Sequence, residues 1–248
     1  MKVIVVYSSK GGVGKTATSV NLAYTASKSG YRVLLCDMDS QGAASFYYRI
    51  KPKKKFNRSR LLTGDFYQFI RGTDFDGLDL LPAHFSFRNL DIAIHEGSKQ
   101  ENRLVLSRLL SPLATEYDYV FLDCPPNVTV LSENIITAAD CVVVPVVPTT
   151  LSLLALEQLL KLLKKVSSKK KKVLGFFSMV ERRKVMHASI MKKYQDYPIF
   201  MQNYIPFMAE IEKMGLYRRP VGAAPRKSIA ALSYEKLWQE IVERRLNR

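Results

Sequence analysis

The run Lys10-Gly11-Gly12-Val13-Gly14-Lys15-Thr16 carries the strongest chemical signal in this 248-residue chain. Glycines let backbone N–H groups turn inward and approach an anion closely, and the N-terminus of a following helix adds partial positive charge. Lys15 can then reach the β- and γ-phosphates of a nucleotide, and the Thr16 hydroxyl can ligate Mg²⁺. A strict phosphate loop has Gly at position 9; here Ser9 stands there, and an additional lysine, Lys10, heads the loop. Two carboxylate sites belong to the same chemistry. Asp123 closes the apolar run Tyr119–Leu122, where an acid can hold Mg²⁺ through water. Asp37 and Asp39 follow the apolar run Arg32–Cys36 and can contact the metal's water shell or orient an attacking water. Asp after a strand is also a common turn residue; the loop is what turns these positions into candidates.

Stepping from chemistry to scaffold, the loop needs a strand before it and a helix after it. Lys2–Ser8 is a β-branched run that reads as a buried strand, and Thr16–Ser29 is helix-like with Gly30 at its C-terminal cap. Further strands are expected at Arg32–Cys36, Leu78–Leu81, Tyr119–Leu122, Cys141–Val147 and Lys172–Met179, with Ile199–Ile205 as a seventh. Helices are expected at Leu151–Val166 and Ser228–Leu246. Uninterrupted apolar strands alternating with helices predict an α/β fold, a doubly wound, mostly parallel sheet covered on both faces. With neither a repeat nor a Pro/Gly/Ser linker, residues 1–248 read as one domain. Lys51–Arg60 and Lys169–Lys172 read as basic surface loops.

Composition narrows the function classes. The hydrophobic share is 47% and the charged share 24%, which excludes global disorder. Cys36, Cys124 and Cys141 lack metal-ligand spacing and read as small buried hydrophobes; His84, His95 and His187 are scattered, so no metal site is expected from them. Apolar runs are too short to span a bilayer or to act as a secretory signal, so a cytoplasmic protein is expected. The net charge of +16 is lopsided: residues 1–160 hold 17 Lys and Arg against 15 Asp and Glu, residues 161–248 hold 21 against 7. Such a field attracts a polyanion. Candidate contacts are Lys169–Lys172, Arg182, Arg183, Lys184, Lys192, Lys193, Arg218, Arg219, Arg226 and Lys227, with Arg182–Lys184 the best cluster. Without a helix-turn-helix or aromatic–basic alternation, the expected mode is non-specific, salt-sensitive phosphate binding to DNA.

The motifs together resemble the ParA/MinD family of deviant Walker-A ATPases. The resemblance rests on KGGVGKT at Lys10–Thr16, VLLCDMDSQG at Val33–Gly42, VFLDCPP at Val120–Pro126, AADCVVVPV at Ala138–Val146, the helix near Leu151, and Ile205-Pro206. The DCPP and D-x-D-x-Q-G elements favour the ParA side, in a small form without an N-terminal DNA-reading domain. The resemblance implies ATP and Mg²⁺ as cofactors and a nucleotide-sandwich homodimer formed with ATP. Lys10 would cross to the partner's phosphates. Gly11, Gly12, Val13, Gly14 and Lys15 would cradle the phosphates, with Thr16 on Mg²⁺ and Ala17 beside it. Asp39 would sit in the first switch and position water; Asp123 would open the second switch, with Asp37 also on the metal side. Met179, Pro206, Phe207 and Met208 would lie around adenine. Ser40 stands where the family usually has Pro, and Phe207–Glu212 replaces a stretch that is often basic. The implied role is positioning or segregating a plasmid, chromosome region or protein complex on the nucleoid, with a ParB-like or cargo-adaptor protein stimulating hydrolysis.

Two other readings compete. A MinD-like, membrane-associated regulator would use Tyr234–Leu246 as an interfacial helix; packing of that helix on the sheet is the expectation, and a membrane partner is not. A redox or amide-forming ATPase of the same fold would need cluster-bridging cysteines or a substrate motif, and neither is legible. Trp238 reads as packing, and Met179, if not beside adenine, as strand-end core. The cargo is not written in the sequence.

Overall fold

The computed structural model describes residues 1–95, 104–166, 171–226 and 228–246. Strands β1 (Lys2–Val6), β2 (Val33–Asp37), β3 (Arg71–Gly72), β4 (Leu78–Leu81), β5 (Tyr119–Asp123), β6 (Cys141–Val146) and β7 (Lys172–Phe177) form one sheet, ordered β3-β4-β2-β5-β1-β6-β7. Every pairing is parallel except the antiparallel β3–β4 edge. Parallel strands need crossovers, and the segments that make them carry the helices α1 (Lys15–Lys28), α2 (Ala43–Tyr47), α3 (Arg58–Leu62), α4 (Leu90–His95), α5 (Val105–Leu110), α6 (Val130–Ala138) and α7 (Thr150–Val166); α8 (Val185–Tyr194), α9 (Ala209–Glu212), α10 (Met214–Tyr217) and α11 (Ile229–Leu246) follow the last strand.

Alternation along the strands splits the core in two. Val3, Val5, Val120 and Leu122 face one side with Ile135, Leu156 and Leu159 of α6 and α7. Ile4, Val6, Tyr119 and Phe121 face the other with Leu22 of α1 and Leu237 of α11. Both faces are therefore apolar, which is why these strands read as continuous hydrophobic runs.

The closing helix packs as expected. Leu237, Trp238 and Ile241 are buried, and the Trp238 ring meets Tyr119 and Tyr31 edge-on at 5.0 and 6.2 Å. Burying such side chains is worth roughly 1.5–3 kcal/mol each. Among the described residues no helix is long and apolar enough to cross a membrane.

Two expectations are corrected. Ile199–Ile205 is not a strand; Phe200 makes an isolated bridge to Gly175, and Pro206, just beyond the segment, makes one to Val180. The Glu240 carboxylate takes the Gln202 and Asn203 N–H groups at 2.8 and 2.9 Å, so those donors are satisfied by a side chain instead of a ladder. The seventh strand is instead Arg71–Gly72, too short to show a periodic pattern. The basic 51–60 segment is also not simply a surface loop: Phe56 is fully buried, and Asn57 caps α3.

Candidate functional site

The chain crosses from β1 over to β2, and β5 later inserts between them. Register then sets Val6 beside Asp123 and Asp123 beside Asp37. The loop leaving β1 and the carboxylates ending β5 and β2 thus meet at the C-terminal end of the sheet, at the point where strand order reverses and α/β folds open a crevice.

Gly12 and Gly14 have φ of 70° and 90°, the left-handed region that glycine adopts without strain. At Gly14 a Cβ would also come within 3.2 Å of Ser178 Oγ. Gly14 caps α1 and offers no side-chain acceptor, so the first N–H groups of this 14-residue helix face the cleft as an anion site. Lys15 is buried, and its Nζ donates to the Lys10 carbonyl at 3.1 Å. Burial lowers the Lys15 pKa, and the nearby Asp123 charge opposes that shift. Such a lysine is under-solvated and gains most from an incoming phosphate.

Beneath the loop lie two fully buried carboxylates. Asp123 Oδ1 accepts from Ser19 Oγ at 2.8 Å, and the Thr16 hydroxyl is a further neighbour that favours the charged carboxylate. Asp37 Oδ2 accepts from both the N–H and the hydroxyl of Ser45, at 2.8 and 2.7 Å. The other oxygens, Asp37 Oδ1 and Asp123 Oδ2, are buried with no hydrogen-bond partner. Burial, and for Asp37 the neighbouring Asp123 charge, push the pKa values up to about 7 and about 6. Buried anions without partners are costly unless a cation compensates them. Orphaned carboxylate oxygens and a threonine hydroxyl are hard donors of the kind Mg²⁺ takes, so Thr16, Asp37 and Asp123 have the chemistry to fit that ion or its water shell. Among the described residues no group of three or more His, Cys, Asp or Glu could hold a metal alone. A cation here would draw on the Thr16 hydroxyl, water and the phosphates of a ligand.

Above this floor opens a cleft of about 440 Å³. Gly11, Gly12, Gly14, Lys15, Thr16, Ala17 and Asp39 line one end; Met179, Pro206, Phe207 and Met208 line the other. Asp39 is half-buried, and its Oδ1 accepts from the Gln41 N–H at 3.0 Å. Val13 turns its side chain into the core, leaving only its peptide to the loop. Lys10 does not line the cleft; its Nζ bonds Ser152 Oγ at 3.0 Å, near the start of α7. Met179 has φ of 53°, and Val180 bonds both ways with the Ile205–Phe207 segment, which closes this end.

Sequence reasoning missed Tyr47, Pro126, Ser178, Ile211, Glu212 and Tyr234, all of which line the cleft. Ser178 is buried and its hydroxyl donates to the Val13 carbonyl at 3.0 Å, clamping the phosphate loop from β7. Its signal was faint: one small polar residue directly after an apolar strand. Ser45, which orients Asp37, carried no signal at all.

The basic candidates fall into two groups. Arg182, Arg183, Lys184, Lys192 and Lys193 are exposed on the turn before α8 and on α8 itself. Arg182 is braced on Tyr204, bonding its hydroxyl at 2.6 Å with the guanidinium over the ring. Arg218, Arg219 and Arg226 follow α10. Arg218 is committed within the fold, stacking on Phe46 and donating to its carbonyl at 3.0 Å. Lys227, Lys169 and Lys170 lie outside the described residues. Lys171 donates to the Thr137 and Ala139 carbonyls at 2.7 and 2.6 Å, which ties the sheet edge to α6.

Known proteins are similar to this chain in sequence and fold. A family model described as an AAA domain matches residues 1–176. The chromosome partitioning protein ParA of Caulobacter vibrioides is 28% identical over 257 residues, covering 100% of this chain and 96% of that protein. The sporulation initiation inhibitor protein Soj of Bacillus subtilis is 36% identical over 162 residues, 64% of this chain and 63% of Soj. The cobyrinic acid a,c-diamide synthase of Mycobacterium smegmatis, solved with a bound ATP analogue and magnesium, superimposes with a TM-score of 0.84 at 26% identity, covering 100% of this chain and 97% of that one. Because the matched stretch runs from β1 through β7 and includes the loop headed by Lys10, the chain belongs to this AAA-domain family and, within it, to the ParA/MinD group of deviant Walker-A ATPases.

Proposed function

We propose that this chain is a ParA-type ATPase that binds ATP with Mg²⁺ in the cleft, closes with a second copy around the nucleotides, grips DNA non-specifically in that form and so positions a cargo. The observation that carries the reading is the pair of unpartnered, buried oxygens of Asp37 and Asp123 under the phosphate loop. They have the chemistry of a site built around a metal–nucleotide charge.

The phosphate loop binds the triphosphate through its inward N–H groups, the α1 terminus and Lys15. Bound Mg²⁺ would neutralise charge developing on the phosphates. Asp39, at the open edge of the cleft, orients the attacking water. As the water oxygen bonds to the γ-phosphorus, the bridging bond to ADP breaks, and the water's proton passes to an oxygen of the phosphate released. Lys10 is held by Ser152 within its own subunit. For it to act on the partner's phosphates, it exchanges that hydroxyl for an anion when two copies meet, completing the site in trans like an arginine finger. Turnover therefore depends on association, and the nucleotide acts as a switch. The exposed Arg182–Lys184 turn is the best candidate DNA contact, and doubling it by dimerisation supports ATP-dependent affinity. A ParB-like or cargo-adaptor protein that stimulates hydrolysis completes the cycle.

The test is ATP turnover against protein concentration, with no other substrate added. The proposed enzyme gains specific activity as its concentration rises, and Lys10→Ala removes both the gain and most of the rate. Undiminished turnover in Lys10→Ala, independent of concentration, contradicts the reading. An amide-forming enzyme, as the mycobacterial relative's name describes that protein, would instead need a carboxylic acid and an amine donor before ATP is consumed.

A further inference from the structure

Tyr7 links β1 to the phosphate loop and is fully buried. Its phenol donates to the Asn127 carbonyl at 3.2 Å, with the Ser132 hydroxyl as a second polar neighbour. Burial pushes its pKa up to about 12, so it remains a neutral donor at any working pH. Asn127 belongs to the stretch 124–129, which joins Asp123 to α6 without regular structure. That stretch is fixed at its start, where Asp123 ends β5 and its carbonyl accepts from the Met38 N–H at 3.0 Å. It is fixed at its end by the Thr129–Ser132 capping box. Between these anchors, Pro125 and Pro126 stiffen the chain, and Pro126, like Asp39, lines the cleft. A stiff strap anchored at its two ends can swing as a unit, and the phenol ties down its middle.

Resting on the ATPase reading above, we infer that Tyr7 is a positioning residue for hydrolysis: through Asn127 it ties the Pro126 wall of the cleft to the strand that carries the phosphate loop. Its effect falls on the geometry of the reacting end and not on the base end, which is closed by Met179 and Phe207.

Tyr7→Phe keeps the ring and its packing and removes only the donor. Expected are a fall in kcat of about three- to tenfold with KM for ATP and ADP affinity within about twofold, and faster amide hydrogen exchange across 124–129. Tyr24→Phe is the comparator: the Tyr24 hydroxyl donates to the Gly222 carbonyl at the same 3.2 Å, and neither residue lines the nucleotide cleft. A merely structural hydroxyl predicts similar small losses of melting temperature in both variants and full kcat in both. Unchanged kcat in Tyr7→Phe, or an equal fall in both variants, overturns the inference. If the wild-type protein hydrolyses no ATP, the ATPase reading fails separately, and exchange across 124–129 still decides the tether: acceleration supports it and no change overturns it.

Discussion

Asp37 and Asp123 are neighbours across two parallel strands, and both titrate above the ordinary carboxylate range because they are buried. In the metal-free protein this sets a sign. An unfolded Asp titrates near 4, while the folded pair holds its protons up to about 7 and about 6. Between those limits the native state binds more protons, so stability falls as pH rises from about 4 to about 7. Melting of metal-free protein across that range should show the decline, and Asp37→Asn should flatten it; a rise in stability over the same interval would contradict the assignment. Ser178 makes a second prediction. Ser178→Ala strips the Val13 carbonyl of its donor and leaves it inside, costing about 1–3 kcal/mol of stability. Part of that loss falls on the phosphate cradle, so nucleotide affinity should drop by about five- to tenfold in a fluorescent-nucleotide titration. The residues legible from the sequence were those with unusual chemistry at fixed spacing, such as Lys15 and Thr16. Ser178, Ser45 and Tyr47 act by where the fold brings them, and single polar residues near strand ends carry no spacing of their own.

Helices and strands with continuous apolar runs were legible because burial on both faces forces that composition. The 199–205 segment misled because its apolar residues, Ile199, Phe200, Met201 and Ile205, fill the core without pairing as a strand. The competition was decided by Glu240, 38 positions from Gln202, a contact no local pattern announces. Trp238 packs against Tyr31, Tyr119 and Phe121, tying α11 to the sheet. Trp238→Ala should cost about 3–5 kcal/mol in chemical denaturation. Wild-type protein should not sediment with uncharged liposomes, since Leu237, Trp238 and Ile241, which apolar insertion would need, are already buried. Co-sedimentation that requires α11 would return the membrane reading.

A mostly parallel sheet was implicit in the α/β pattern, but the order β2-β5-β1 was not, and that order brings three distant segments together at the C-terminal end of the sheet. Charge is different: the excess of basic residues after position 160 is visible in the sequence alone. The fold divides it, exposing Arg182–Lys184 and committing Arg218 and Lys171 to internal contacts. If two copies each present that three-residue turn, about six phosphates are engaged, and the logarithm of affinity for random-sequence duplex should fall with the logarithm of salt at a slope of roughly −5. A flat response would remove DNA from the scheme.

Everything proposed for turnover and DNA binding depends on two copies closing over nucleotide. Light scattering on the Asp39→Ala variant with Mg²⁺ and either ATP or ADP examines that closure without interference from hydrolysis. Twice the monomer mass with ATP, and the monomer mass with ADP, is the predicted result. A monomer under both conditions, at protein concentrations where the wild-type enzyme turns over, would contradict it.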